Sequence, residues 1–375
     1  EPAFPANEFE QLRRQSLVAL EASRAEPQAV AARVLARHFD LYPKGDVRHA
    51  NSFDDDLAEL TAARLDELRA FHREFYGSVP AEMAIVGDFD AAAIVPLVDE
   101  LFGAWKAPAN VAPVLRRHAE IAPLKTTLNT PDKENGFYTA RLNLDLNIDD
   151  ADYPALMLAN YIFGEGGLRS RLMDRIRQKD GLSYGGGSQL EAGDLDRAGA
   201  FGISAIAAPQ NLQRLDAAIR AELARAVKDG FTAAELAGAK SGLMQQRQQT
   251  RADDGALAAG WTSYLYRDRT YEWSRQFEAK LMAVTLLQLN AAFRKAIVVH
   301  LVEISPTLEK AQRETLAKAD ALIHWHHSLS EVPAGPAIIL ANEFIDALPV
   351  HQMIKHSDGW HERVVDIDSD GNLLF

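Results

Sequence analysis

The chain has no cysteine. Disulfides, zinc–thiolate sites, iron–sulfur clusters and cysteine nucleophiles are therefore excluded. The compartment stays open, because a cysteine-free chain suits cytoplasm and periplasm alike. No apolar run approaches the roughly 20 residues a membrane-spanning helix needs. Positive charge is in deficit as well: 40 Lys and Arg stand against 53 Asp and Glu, a formal charge of −13. A general nucleic-acid binder would carry a basic footprint instead, so no nucleic-acid partner is expected. What remains is an ordinary globular balance, 47% hydrophobic and 25% charged over 375 residues, long enough for two or three domains. The chain opens Glu1-Pro2-Ala3-Phe4, without Met or signal peptide, and stops at Phe375 just after a strand-like stretch. Both ends are expected to be cuts.

The composition changes near residue 298. Residues 1–297 hold 35 Lys and Arg against 41 Asp and Glu, residues 298–375 hold 5 against 12, and seven of the eleven histidines fall in that last stretch. No Pro/Gly/Ser linker separates the two parts, as a domain boundary usually would. The abrupt change suggests two joined units.

Residues 1–297 alternate helices with strands. A helical stretch over 9–38 is interrupted at Pro27, and 61–76 reads as one amphipathic helix with Leu65, Leu68, Phe71 and Phe75 at helical spacing. Residues 83–86 predict a short buried strand, followed by a helix with its stripe at Ile94, Leu97, Val98 and Leu101. Proline and alanine over 108–123 predict a linker. Tyr138, Ala140, Leu142, Leu144 and Leu146 alternate with polar residues, which predicts a half-buried strand. A helix over 153–163 and a pairable strand couple, 182–190 and 199–207, follow. The next helix stops at Gly230, and Thr232-x-x-Glu235 and Thr285-x-x-Gln288 are capping boxes for two more.

The densest cluster runs from Gly164 to Ser188. A glycine run opens a helix carrying Arg169, Arg171, Arg175 and Arg177, with Leu172 and Ile176 on its buried face. Arg177 points off that face, and Tyr184 lies seven residues on, across the turn made by Gly181. An arginine and a phenol converging there would suit a peptide carbonyl or an oxyanion. A basic surface helix beside a core tyrosine fits the same pattern. The glycine run could also hold phosphate, but no G-x-x-x-x-G-K-[ST] is present.

The segment Ser170-Arg171-Leu172 through Arg177 to Gly181-Leu182-Ser183-Tyr184 resembles the pitrilysin/insulinase family of zinc metallopeptidases. Other pieces agree in order: Phe75-Tyr76, then Ala84-Ile85-Val86-Gly87-Asp88-Phe89, then Phe102-Gly103-Ala104-Trp105, then Asp152-Tyr153-Pro154-Ala155 and Asn160-Tyr161-Ile162-Phe163-Gly164. The resemblance spans about residues 4–297. It implies two related α+β domains of the four that build a clamshell peptidase, the first lacking its opening strand and helix. It also implies that Arg177 and Tyr184 fall on the family's Arg/Tyr pair, which binds substrate and stabilises the transition state. The family's zinc motif, H-x-x-E-H, is absent, since none of His38, His49, His72 or His118 begins or ends one. Zinc would thus belong to a separate catalytic half, and this chain alone is expected to bind no cofactor.

The tail has another character. Residues 298–302 predict a buried strand ending at Glu303, Ser305-Pro306 starts a helix, and 336–341 predict a second buried strand. An acid at a strand end could accept hydrogen bonds from a ribose diol, or simply cap a helix. Val302-Glu303-Ile304-Ser305-Pro306, Asn342-Glu343-Phe344-Ile345-Asp346-Ala347-Leu348-Pro349 and Gly359-Trp360-His361-Glu362-Arg363 resemble MidA-type class I methyltransferases over about residues 298–375. That resemblance implies S-adenosylmethionine chemistry on a protein arginine, with Glu303 as the ribose-binding acid and Asn342, Glu343 and Asp346 near methyl transfer. The Gly-rich loop that holds the methionine moiety would lie upstream of Val298, where peptidase-like helix lies instead, so S-adenosylmethionine binding by this chain is not expected. His324-x-His326-His327 lacks a carboxylate to complete a metal site and reads as an exposed strand or loop. Asp366, Asp368 and Asp370 before Gly371 read as a hairpin turn rather than a calcium loop.

The expected fold is α+β. A carboxy-terminal part of one pitrilysin-like domain over 1–110 precedes a linker over 111–124. A full pitrilysin-like domain follows over 125–297, then a partial α/β methyltransferase-like fragment over 298–375. The strand after 298 is expected to fill the sheet position that 83–86 takes in the first domain. The expected function is a non-catalytic, substrate-binding peptidase half. Its partners would be a peptide or small protein and a catalytic pitrilysin-like half. The alternatives are a protein arginine methyltransferase fragment or a non-enzymatic assembly or processing scaffold. Localisation conflicts: the first part favours the periplasm, the tail the cytoplasm.

Overall fold

The computed structural model describes residues 2–77, 81–109, 111–130, 133–296, 299–302, 305–316 and 323–332, and the backbone of four short strands beyond them. The chain divides into two compact units, Glu1–Pro336 and Ala337–Phe375.

A three-stranded antiparallel sheet organises the first unit, in the order β1-β3-β2: β1 is Gly136–Asp145, β2 Gly185–Glu191 and β3 Ala198–Ala207. The alternation foreseen for β1 fixes its register, with Tyr138 opposite Ala205, Ala140 opposite Ile203 and Leu142 opposite Phe201. Facing residues of paired strands share a side, so these apolar pairs form one face. Thr139, Arg141 and Asn143 fall on the other, where the Arg141 guanidinium lies 5.6 Å from the ring of Phe39.

Helices α6 (Tyr153–Asn160), α8 (Leu212–Asp229), α9 (Ala233–Thr250), α11 (Tyr271–Ala283) and α12 (Leu286–Lys295) contribute to the same core. Leu158, Phe163, Leu172, Ile176, Leu215, Ile219, Leu281 and Leu289 are fully buried in it. Gly230 ends α8 in the left-handed region, φ 72°. Both capping boxes form: Thr232 with Glu235 opens α9, and Thr285 with Gln288 opens α12. Helix α10 (Asp254–Leu265) has no buried residue.

The amino-terminal part is built differently. Helices α1 (Ala6–Ser23), α2 (Pro27–His38), α3 (Phe53–Ala62), α4 (Leu65–Phe75) and α5 (Ala91–Phe102) are present, yet no described residue before Leu146 is buried. The helix expected over 61–76 is broken, because Glu67 accepts from the Arg64 amide at 3.0 Å and restarts the helix at Leu65. Residues 83–86 are not the buried strand expected. They have no regular structure, and Met83 and Ile85 are 48% and 46% exposed. Among the described residues no strand pairs with them, and an unpaired strand has nowhere to place its backbone hydrogen bonds.

The strand after residue 298 also departs from expectation. β4 (Val299–Val302) does not join the antiparallel sheet. It pairs in parallel with β5 (Ile323–His326), and α13 (Pro306–Leu316) makes the crossover. A parallel partner one helix away satisfies the strand locally. Ser305 caps α13, as expected, accepting from Leu308 N at 3.4 Å.

In the second unit β6 (Gln352–His356) pairs with β7 (Gly359–Arg363), and β8 (Asp366–Ile367) with β9 (Leu373–Leu374), both antiparallel. The β8–β9 pairing brackets the expected hairpin turn. That turn, Glu303, Asn342, Glu343, Asp346 and the strand expected over 336–341 lie outside the described residues. Among the described residues no helix is long and apolar enough to cross a membrane.

Candidate functional site

The cluster from Gly164 to Ser188 is an irregular helical segment leading into edge strand β2. Helix α6 runs on into a π-helical turn, Tyr161–Glu165, then a 3-10 turn, Gly167–Arg169. Next come α7 (Arg171–Met173) and a second π-helical turn, Asp174–Lys179. Glycine permits this path. A Cβ on Gly164 would stand 2.5 Å from the Ser188 amide nitrogen, so only glycine allows the turn this close to β2. Ser188 Oγ donates to Asn160 Oδ1 at 2.6 Å, and Asn160 Nδ2 donates to Glu165 Oε2 at 2.6 Å. Burial raises the Glu165 pKa, and the Asn160 hydrogen bond only partly opposes it.

Leu172 and Ile176 fill the core as their spacing predicts. After Ile176 the chain reverses: its carbonyl accepts from Leu182 N at 2.8 Å and Ser183 N at 3.1 Å, with Gly181 at φ 60°. Ser183 Oγ then bonds the Ile206 carbonyl at 2.6 Å and fixes the entry to β2.

The four arginines of this segment have different fates. Arg171 grips Glu235 through two bonds, 2.6 and 2.8 Å, and the Gly230 carbonyl at 2.9 Å, while lying 4.7 Å from the Phe231 ring centre. Its carboxylate partner is held at about 2: burial would raise that pKa, but hydrogen bonds from Arg171 and Thr232 outweigh it. Arg175 pairs with Asp180 at 2.8 Å. Arg177 Nη1 donates to the Tyr184 carbonyl at 3.0 Å, and neither Arg177 nor Arg169 has a carboxylate partner among the described residues.

Arg177 and Tyr184 are thus brought together, but through guanidinium and main-chain carbonyl. Tyr184 stands just ahead of β2 and is 60% exposed, which overturns the alternative of a core tyrosine. Four guanidinium N–H groups and the phenol remain to meet a ligand. Sequence reasoning did not see that Glu235, foreseen only as a helix cap, also neutralises Arg171.

Among the described residues, the histidines of residues 1–296 are engaged by groups other than a metal-ligand set. His38 meets the Ala122 carbonyl at 2.6 Å, His49 pairs with Asp40 at 2.5 Å, and His72 stacks on Tyr76 with ring centres 5.0 Å apart. His118 meets Glu120 at 3.3 Å. Among the described residues no three His, Asp or Glu side chains group as metal ligands. His324 and His326 lie on β5 as foreseen, His324 exposed. A groove of about 460 Å³, lined by Glu82, Val111, Pro113, Tyr266 and Arg267 among others, contains none of the residues the sequence nominated.

Residues 62–243 match the family described as Peptidase M16 inactive domain. The chain carries a peptidase M16 inactive domain. Its fold is shared with a peptidase M16 inactive domain from Pseudomonas fluorescens, at TM-score 0.63 and 23% identity over 79% of this chain and 69% of that one. A protease from Helicobacter pylori aligns at TM-score 0.64 and 16% identity over 77% and 69%. The periplasmic protease PqqL from Escherichia coli aligns at 0.59 and 16% over 77% and 31%. The M16 match bears out the resemblance drawn from the segment around Arg177.

Residues 278–375 match a family of S-adenosyl-L-methionine-dependent methyltransferase-like proteins. This second match opens inside helices whose Leu281, Leu289 and Phe293 belong to the core around the M16 sheet. The mitochondrial protein arginine methyltransferase NDUFAF7 of Danio rerio is 38% identical over 100 residues, 21% of this chain and 24% of the relative. Its Caenorhabditis elegans homolog is 33% identical over 115 residues, 26% and 27%. The chain spans about a quarter of the length of these curated relatives.

Proposed function

We propose that the M16 part is the non-catalytic, substrate-binding half of a pitrilysin/insulinase-type zinc metalloendopeptidase. The observation that supports it is Arg177, held on the Tyr184 carbonyl at the start of edge strand β2 with donors to spare. An edge strand offers unpaired N–H and C=O groups to an extended peptide. Arg177 and the Tyr184 phenol would hydrogen-bond a peptide carbonyl there, and more strongly once its oxygen gains charge, an effect typically worth about 3–4 kcal/mol per donor. Zinc and its water belong to a separate half with H-x-x-E-H.

The test is a quenched-peptide cleavage assay with zinc, run on the chain alone and mixed with such a half. Cleavage only in the mixture, reduced in Arg177→Ala and Tyr184→Phe, supports the reading. Cleavage in neither tube leaves a scaffold as the better account.

A second reading applies to residues 298–375, on the strength of the NDUFAF7 likeness and the parallel β4–α13–β5 unit. There Glu303 would meet the ribose of S-adenosylmethionine, and Asn342, Glu343 and Asp346 would flank a protein arginine. Titration calorimetry with S-adenosylmethionine on wild type and Glu303→Ala decides it. Absence of heat removes the reading.

A further inference from the structure

Five cations stand on residues 169–179. Three are neutralised: Arg171 by Glu235 at 2.6 Å, Arg175 by Asp180 at 2.8 Å and Lys179 by Asp174 at 2.6 Å. The other two, Arg169 and Arg177, have no carboxylate within ion-pair reach among the described residues, and both are exposed. The nearby Glu165 carboxylate is engaged by Asn160 at 2.6 Å. In a chain of formal charge −13, this is a local basic site.

The turns that bear these two arginines are tied together. Gln178 Nε2 donates to the Leu168 carbonyl at 2.9 Å, which ties the turn bearing Leu168 and Arg169 to the turn bearing Arg177. Arg177 is in turn tied to Tyr184. Leu168 is 54% and Tyr184 60% exposed, so the surface offers apolar contact beside unneutralised charge.

We infer that this surface takes an extended acidic peptide, with a carboxylate on Arg169 and Arg177 and an apolar side chain on Leu168 and Tyr184. The inference rests on the peptide-binding reading above and adds the charge of the ligand. A guanidinium meets a carboxylate through paired, charge-assisted hydrogen bonds, which gives register as well as affinity. Three features set the specificity: opposite charge, a free strand edge, and an apolar flank.

Fluorescence anisotropy on the full chain tests it. Three labelled peptides of equal length and the same strand-forming sequence would carry Asp-Glu, Asn-Gln or Lys-Lys at the centre. The acidic peptide binds tighter than the Asn-Gln peptide by about fivefold for each guanidinium engaged. That advantage shrinks as salt is raised. Arg169→Gln, which removes no hydrogen bond among the described residues, lowers affinity for the acidic peptide by about fivefold and leaves the Asn-Gln peptide unchanged. Equal binding of all three, still weakened by Arg177→Ala, overturns the acidic preference and leaves the peptide-binding reading standing. Failure of every peptide to bind removes both. Inorganic polyphosphate competing as well as the acidic peptide overturns the peptide class and reduces the surface to a polyanion site.

Discussion

The Glu235 carboxylate, held by Arg171 and by the Thr232 cap, ties the segment that carries Arg177 to α9, and its contribution can be worked out from the structure. Arg171 is 10% exposed and Glu235 29% exposed at their side chains. The Glu235 carboxyl is held at about 2 against a usual 4.5. A carboxylate whose pKa is depressed in the folded chain stabilises it above the unfolded value and loses that contribution as pH falls. Here the contribution is complete above about pH 4.5 and is lost on the way to about pH 2. That difference corresponds to about 3 kcal/mol by linkage. Glu235→Gln keeps the shape of the helix cap and removes the charge. Urea unfolding followed by far-ultraviolet circular dichroism, on wild type and Glu235→Gln across this range, measures it. The two should differ by about 3 kcal/mol near neutral pH and by under about 1 kcal/mol at pH 2. A pH-independent difference, or none at neutral pH, would refute the electrostatic account and reduce Arg171 to a packing residue.

Two further outcomes follow from packing. Gly164→Ala places a methyl 2.5 Å from the Ser188 amide, so the π-helical turn or β2 must shift. The expected cost is about 1–3 kcal/mol, read by the same urea titration. Limited trypsin digestion is expected to cut first at exposed Lys106, Arg116, Arg117 or Lys125, where the chain has no regular structure. A fragment ending near Lys295 survives, because the buried residues span Leu146–Phe293. Mass mapping that finds the first cuts inside α8 or α9 instead would contradict this ranking.

What the sequence reveals about this fold is what short-range periodicity encodes. Alternation from Tyr138 to Leu146 placed β1 and its inward face, the i,i+4 pair Leu172 and Ile176 placed the buried side of the central segment, and Thr232-x-x-Glu235 and Thr285-x-x-Gln288 placed two helix starts. Each depends on neighbours within a turn or two. Residues 83–86 and β4 show where that information ends. Four or five apolar residues in a row ask for burial without naming a partner. One segment lies unpaired among the described residues, and the other pairs in parallel with a strand more than a helix away.

The candidate site repeats the lesson in charge. The spacing of Arg177 and Tyr184 across Gly181 implies that the two residues meet, yet it does not encode that the guanidinium meets a carbonyl and leaves the phenol outside. More decisive is which arginines stay unpaired. Arg171 finds its carboxylate 64 residues downstream. Arg175 and Lys179 find theirs within the segment. Only with those three pairs formed do Arg169 and Arg177 emerge as the charges without a carboxylate partner among the described residues. Two of these pairings are five residues apart and lie within the segment, whereas the third, Arg171 with Glu235, is a tertiary contact that no pattern within the run encodes.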